Sequence, residues 1–80
     1  NAAREAFEQG DYAAAAALYL KAVKASENDY TAPLYLRKAG LSEAVQGNNA
    51  KAQEYYQQIL SNYPRSAEAR TAEKLMGSVN

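Results

Sequence analysis

A short pattern that occurs twice, 37 residues apart, constrains the fold of this 80-residue chain more than any other feature. Residues 10–15 align without gaps to residues 47–52, and each segment opens on Gly followed by Asp or Asn. The same offset pairs Tyr19 with Tyr56. Self-similarity with a period of about 20–50 residues is typical of repeat proteins, in which one supersecondary unit stacks on the next. The sequence therefore predicts a fold built from repeated units.

Each unit is predicted to be helical. Alanine and unbranched polar residues dominate the chain, and these are strong helix formers. Between glycines and prolines, apolar residues recur every three or four positions, as in amphipathic helices. We predict about five helices, of which the first covers residues 1–9 and is ended by Gly10, and the second is capped by Asp11 and ends near Ser26. The third has Pro33 in its first turn, with Thr31 or Ala32 just outside it, and ends at Gln46. The fourth is capped by Asn48 and ended by Pro64, and the fifth is capped by Ser66 and ends before Gly77.

Helices this short, joined by tight turns, must pack antiparallel, so we expect an all-α chain of helix-turn-helix hairpins. Gly40 lies inside the third helix, where Gly costs about 1 kcal/mol relative to Ala, so it indicates close approach of a neighbouring helix. Ala15 and Ala52 would let paired backbones come near, with Tyr19 and Tyr56 beside them. The predicted core stripes are Tyr12, Ala15, Ala16, Tyr19, Ala22 and Val23; Ala52, Tyr55, Tyr56, Ile59 and Tyr63; and Ala69, Ala72 and Met76.

Residues 33–66 resemble one unit of the tetratricopeptide repeat (TPR) family, which is 34 residues long. The matching positions are Leu36, Ala39, Gly40, Ala52, Tyr56 and Pro64, and in the first unit Gly10, Asp11, Tyr12, Ala15, Tyr19 and Ala22. The departures are Glu27 for the closing proline, Glu43 for an aromatic residue, Asn49 for Tyr and Ile59 for a small residue. We interpret Glu43 as a solvated polar substitution. The resemblance implies one TPR-like domain over residues 1–80, a fragment of an α-α superhelix with a truncated first repeat (1–29), a second repeat (33–66) and a capping helix (67–77).

The resemblance also implies a concave groove lined by the first helix of each repeat. The candidate partner-binding residues are Arg4, Phe7, Leu34, Arg37, Lys38, Leu41 and Val45, joined by Glu68 and Thr71 from the last helix. This groove implies a non-catalytic module that binds a protein or peptide partner through apolar contacts and one or two salt bridges. Alternatively, Leu34, Leu41 and Val45 pack against a neighbouring repeat and Arg37 is solvated. A clamp for acidic C-terminal peptides is disfavoured, because Leu41 stands where such a clamp needs Asn and the last helix offers Glu68 and Ala72 in place of basic residues.

Composition argues against several other functions. With no Cys and no His, the chain has no disulfide framework or thiolate zinc site, and it lacks the commonest metal ligand and general base. Its 9 basic and 9 acidic residues cancel, which argues against a nucleic-acid partner. The longest apolar run, residues 13–20, is far shorter than the ~20 residues that membrane insertion requires. No nucleophile with a base and no Gly-rich phosphate loop is evident. We therefore expect no enzymatic activity, no cofactor and no metal.

Two further interpretations stay open. Ala2, Ala3, Ala6 and Phe7, at the truncated end, could stack on another copy and form a homo-oligomer. Alternatively, the chain is a regulatory domain of a longer protein, as its start at Asn1 suggests. Of the seven Tyr residues, we expect Tyr12, Tyr19, Tyr55, Tyr56 and Tyr63 to pack in the core, whereas Tyr30 and Tyr35 are less committed to it. Residues 55–66 resemble the repeat ends of exported bacterial TPR proteins, which favours the periplasm or cell envelope over the cytoplasm.

Overall fold

The computed structural model describes residues 2–26 and 30–78. This part of the chain contains five α-helices and no strand: α1 (Ala2–Glu8), α2 (Tyr12–Ala25), α3 (Thr31–Val45), α4 (Asn49–Asn62) and α5 (Ala67–Ser78). Each helix packs against the next along the chain, and α3 also contacts α5. The prediction of an all-α fold of antiparallel helices is confirmed.

The repeated sequence pattern forms the same turn twice. Gly10 ends α1 with φ +83°, its N–H donates to the Phe7 carbonyl at 3.0 Å, and the Asp11 N–H donates to the Ala6 carbonyl at 2.8 Å. This pair of bonds is a Schellman motif, which needs a residue in the left-handed region and so favours Gly. The turn after α3 has Gly47 at φ +84° and the corresponding bonds from Gly47 to Ala44 at 3.0 Å and from Asn48 to Glu43 at 2.9 Å.

Two of the three predicted N-caps make the expected side-chain hydrogen bond. The Asp11 carboxylate accepts from the Ala14 N–H at 3.3 Å at the start of α2. The Ser66 hydroxyl accepts from the Ala69 N–H at 3.2 Å and donates to the Tyr63 carbonyl at 2.8 Å. Each cap satisfies a backbone N–H of the first turn that has no partner within its helix.

Some predicted helix boundaries are wrong by one or two residues. The third helix begins at Thr31, so Pro33 is its third residue. Proline is tolerated there because the first four N–H groups of a helix have no carbonyl partner within it. The same helix ends at Val45, with Gln46 as its C-cap, and the last helix continues through Gly77. The predicted helix start at Asn1, and Glu27 with the rest of residues 27–29, lie outside the described residues.

The core consists of two clusters related by the sequence repeat. The first contains Ala3, Ala15, Tyr19 and Ala39, and the second contains Leu36, Ala52, Tyr56, Ile59, Ala69 and Ala72. Both tyrosines of the repeat are buried, and Ala15 and Ala52 are fully buried at equivalent places in α2 and α4. Gly40 is buried against the Tyr56 ring. The predicted close approach at Gly40 is therefore confirmed.

Candidate functional site

Helix α3 has two apolar sides that are buried to different degrees. On one side Leu36, Ala39 and Gly40 are buried in the core. The other side carries the candidate groove residues: Leu34, Arg37, Lys38 and Leu41 are half-buried and Val45 is 49% exposed. A helix that is apolar on two sides shows one of them at the surface of a small fold. This exposed side of α3 is the centre of the candidate site.

A small hollow lies where α1, α2 and α3 meet. Its volume is about 80 Å³, and it is lined by Phe7, Tyr19, Arg37, Lys38 and Leu41. Four of the seven residues proposed from the sequence thus come together around one depression. The other three, Arg4, Leu34 and Val45, do not line it.

Two aromatic rings, those of Phe7 and Tyr19, line this hollow, which we call the Phe7–Leu41 hollow, and each packs on a further ring. The rings of Phe7 and Tyr12 meet edge to face with centroids 5.0 Å apart, and those of Tyr19 and Tyr35 stack at 6.3 Å. The Lys38 ammonium lies 5.9 Å from the centroid of the Tyr19 ring, within reach of a cation–π attraction. Burial raises the pKa of Tyr19, with Arg4 opposing the rise and Glu8 adding to it. The phenol therefore stays neutral near pH 7 beside the Lys38 charge.

Tyr19 is the lining residue that the sequence did not assign to the site. Its alignment with Tyr56 predicts only a space-filling role between helices. Tyr19 does fill that space, since it is 3% exposed, but it also lines the surface hollow. No signal within α2 distinguishes these two roles, because the second one depends on Lys38 and Phe7 from other helices.

The charges around the hollow are unevenly paired. Arg4 Nε lies 3.1 Å from Glu8 Oε1, an exposed pair within α1 that contributes little stability. Neither Arg37 nor Lys38 has a carboxylate oxygen within 4.0 Å in residues 2–26 and 30–78. The rim of the hollow formed by α3 therefore carries two positive charges without an ion-pair partner in the described chain.

Glu43 is buried, so its interpretation as a solvated substitution is wrong. Only 6% of its surface is exposed, and Oε1 accepts hydrogen bonds from Gln46 Nε2 at 3.1 Å and Asn48 Nδ2 at 3.0 Å. The Asn48 side chain consequently makes no cap bond to α4, although its backbone occupies the N-cap position. Two charge-assisted bonds make burial of the carboxylate tolerable where the family has an aromatic ring. Glu43 therefore stabilises the turn between α3 and α4, and it lines none of the described cavities.

A larger cavity lies elsewhere, at the α4–α5 turn. It encloses about 610 Å³, and seven of its eight lining residues come from residues 62–68, with Tyr30 as the eighth. It is therefore a depression of one turn rather than a groove between helices. Glu68 belongs to this cavity, and Thr71 is exposed on α5, so neither joins the Phe7–Leu41 hollow. Tyr30 is 86% exposed, whereas Tyr35 packs on Tyr19.

The face proposed for self-association is largely covered by the chain itself. Ala3 is 6% exposed, and Ala6 and Phe7 pack against the cluster that it forms with α2. Phe7 also contacts Tyr12. Of the four residues proposed for this face, only Ala2 is classed as exposed.

The described residues form neither a metal-binding cluster nor a membrane-spanning helix. Within residues 2–26 and 30–78, no three Asp or Glu side chains approach one another closely enough to hold a metal ion. None of the helices that the structure describes has the length and apolar character needed to cross a bilayer.

Short antiparallel helix pairs, repeated in sequence and stacked side by side, define a helical-repeat protein. The sequence model of the tetratricopeptide repeat family matches residues 1–67. The chain therefore belongs to the tetratricopeptide repeat family. No curated protein and no solved structure matches it significantly. Repeats of this family generally mediate protein–protein interactions and are typically non-catalytic.

Proposed function

We propose that this chain binds a segment of a protein or peptide partner along the exposed side of α3, with the Phe7–Leu41 hollow as its central contact. The observation that carries this proposal is the convergence of Phe7, Leu41 and the edge of Tyr19 beside two cations. Apolar surface with a few well-placed polar groups is the usual composition of a recognition site.

The size of the hollow favours a peptide over a small molecule. Small-molecule sites typically enclose about 300–1,000 Å³, whereas this hollow encloses about 80 Å³. That space accepts one side chain and leaves the rest of a ligand on the surface around it. A partner segment that lies along α3 would add contacts with Leu34 on one side and Val45 on the other. Since the helices are already fixed by their own packing, binding would order little of the protein.

The proposal is tested with a random linear peptide library displayed on phage, selected against the 80-residue chain. Enriched peptides are then synthesised, and their affinities are measured by fluorescence anisotropy. We expect Leu41→Asp to weaken binding at least about tenfold, which corresponds to about 1.4 kcal/mol, because it places a charge in the apolar wall.

The matched control is Ala17→Asp, which adds the same charged group at an exposed position of α2. It should bind with unchanged affinity, and circular dichroism should show both variants folded. Peptides that bind the wild type and Leu41→Asp equally would contradict the proposal, as would a library that yields no specific binder.

A further inference from the structure

Two cations that line the hollow lack an ion-pair partner in the described chain. Arg37 and Lys38 are consecutive, both are half-buried, and neither has a carboxylate within 4.0 Å in the described chain. Partial burial reduces the screening of such charges by water and salt. A carboxylate placed at this rim would be attracted by both charges. On the neighbouring helix α1, Glu8 is paired with Arg4.

The two cations differ in how they could hold a carboxylate. The planar Arg37 guanidinium can donate two parallel hydrogen bonds to it. Lys38 provides a single charged point, and its contact with the Tyr19 ring restricts where the ammonium lies. A side chain that is already restricted loses less conformational freedom when it binds.

The apolar part of the hollow limits the size of the partner residue that lies next to the acidic one. Its volume of about 80 Å³ is far below that of a typical small-molecule site. A space of this size suits the end of one aliphatic side chain. Phe7 and Leu41 provide the apolar wall, and Arg37 and Lys38 lie at the rim of the same hollow.

We infer that the partner segment carries an acidic side chain, Asp or Glu, next to an aliphatic residue, Val, Leu or Ile. The aliphatic group fills the Phe7–Leu41 hollow, and the carboxylate lies between Arg37 and Lys38. This inference rests on the proposed function and specifies the chemistry of the ligand. It assigns the carboxylate to a side chain within the segment, so a free chain terminus is not required.

Charge reversal provides the test. The same phage library is selected against wild type, against Arg37→Glu/Lys38→Glu, and against Lys21→Glu/Lys24→Glu, which makes the same change of charge at exposed positions of α2. We expect wild type and the α2 control to enrich Asp or Glu beside Val, Leu or Ile. The Arg37→Glu/Lys38→Glu variant should enrich Lys or Arg in place of the acidic residue and keep the preference for Val, Leu or Ile beside it.

A synthetic peptide from the wild-type selection then tests the position of the carboxylate. Replacing its acidic residue with the matching amide should weaken binding about three- to tenfold at low salt, and less at high salt. Amidation of the peptide C-terminus should leave the affinity unchanged. If amidation abolishes binding, the carboxylate belongs to the chain terminus and the inference is wrong.

The outcomes separate this inference from the proposed function. If the enriched peptides show no acidic preference but still fail to bind Leu41→Asp, the inference is wrong and the proposed function stands. A library that yields no binder would contradict the proposed function and the inference together.

Discussion

The ring of Tyr56 lies against the backbone of Gly40 so closely that a side chain at residue 40 has no room. A β-carbon built there would lie 2.9 Å from both Cδ1 and Cζ of Tyr56, and closer still to Cε1. Non-bonded carbon atoms do not approach each other this closely, so either the new β-carbon or the Tyr56 ring would have to move. Because Tyr56 is completely buried, its ring has nowhere to go without disturbing α3 and α4.

We predict that Gly40→Ala destabilises the chain, although Ala is the better helix former by about 1 kcal/mol. Overpacking of a core typically costs about 1–3 kcal/mol, so we expect a net loss of about 1–2 kcal/mol in the free energy of unfolding by urea. Gly77→Ala is the matched control, because Gly77 also lies in a helix but has open space around it. This control should be neutral or slightly stabilising. If both substitutions changed the free energy of unfolding equally, the close contact between Gly40 and the Tyr56 ring would be contradicted.

We predict that Tyr56→Phe leaves stability at pH 7 unchanged or raises it by up to about 1 kcal/mol. Within the described residues, the Tyr56 hydroxyl is buried and makes no hydrogen bond, and such a group costs about 1–3 kcal/mol of desolvation. Urea unfolding measures the difference. Tyr30→Phe, which removes a hydroxyl from an 86% exposed residue, is the control and should change stability by less than about 0.5 kcal/mol. A clear loss of stability in Tyr56→Phe alone would show that the hydroxyl is satisfied.

The same tyrosine predicts a loss of stability at alkaline pH. Burial raises the pKa of Tyr56 above its ordinary value of 10.0, although the charge of Arg37 opposes the rise. The folded state thus holds this proton more tightly than the unfolded state. The stabilisation is complete below the unfolded pKa and is lost as the pH rises through the folded pKa. Unfolding free energies measured from pH 8 to 11.5 should fall above about pH 10, and less steeply in Tyr56→Phe.

We predict that Glu43 and Asn48 are energetically coupled. Glu43→Ala leaves the amides of Gln46 and Asn48 without their acceptor, and hydrogen bonds to a charged group contribute about 1.5–3 kcal/mol each. A double-mutant cycle with Asn48→Ala should give a coupling energy of about 0.5–2 kcal/mol. The cycle contains its own control, since additive losses would show that the 3.0 Å contact contributes nothing.

We predict that the chain is a monomer in solution. Ala3 is buried, and Ala6 and Phe7 are half-buried against α2, so little apolar surface remains at that end for a second copy. Sedimentation equilibrium from low to high micromolar concentration should give a constant mass of 8.7 kDa. A reversible increase in mass would favour the homo-oligomer, and Phe7→Asp would then show whether α1 forms the contact.

Local patterns predict most of the fold. Gly10 and Gly47 mark both Schellman turns because only a residue without a β-carbon adopts that backbone conformation easily. The spacing of Ala15, Tyr19 and their equivalents predicts the core, since both the spacing and the burial follow from the helical period.

The features that local patterns miss depend on competition between partners. The sequence predicts that Asn48 caps α4, but its amide donates to the Glu43 carboxylate, a charged acceptor that makes a stronger hydrogen bond. The sequence signal for this competition is Glu43, which lies five residues before Asn48. The meeting of Phe7, Tyr19 and Lys38 depends on how α1 and α3 stack around α2, and no period within one helix encodes that angle.

The bond between Glu43 and Asn48 also limits how the two units could exchange parts. At the same offset, the first unit has Ala6 and Asp11, and there the Asp11 carboxylate caps its helix. Asn48→Asp would place a second carboxylate next to that of Glu43, and Ala6→Glu would place one near that of Asp11. Any recombination between the units must therefore carry both positions at once. The two turns share a backbone shape but differ in the side-chain hydrogen bonds that complete them.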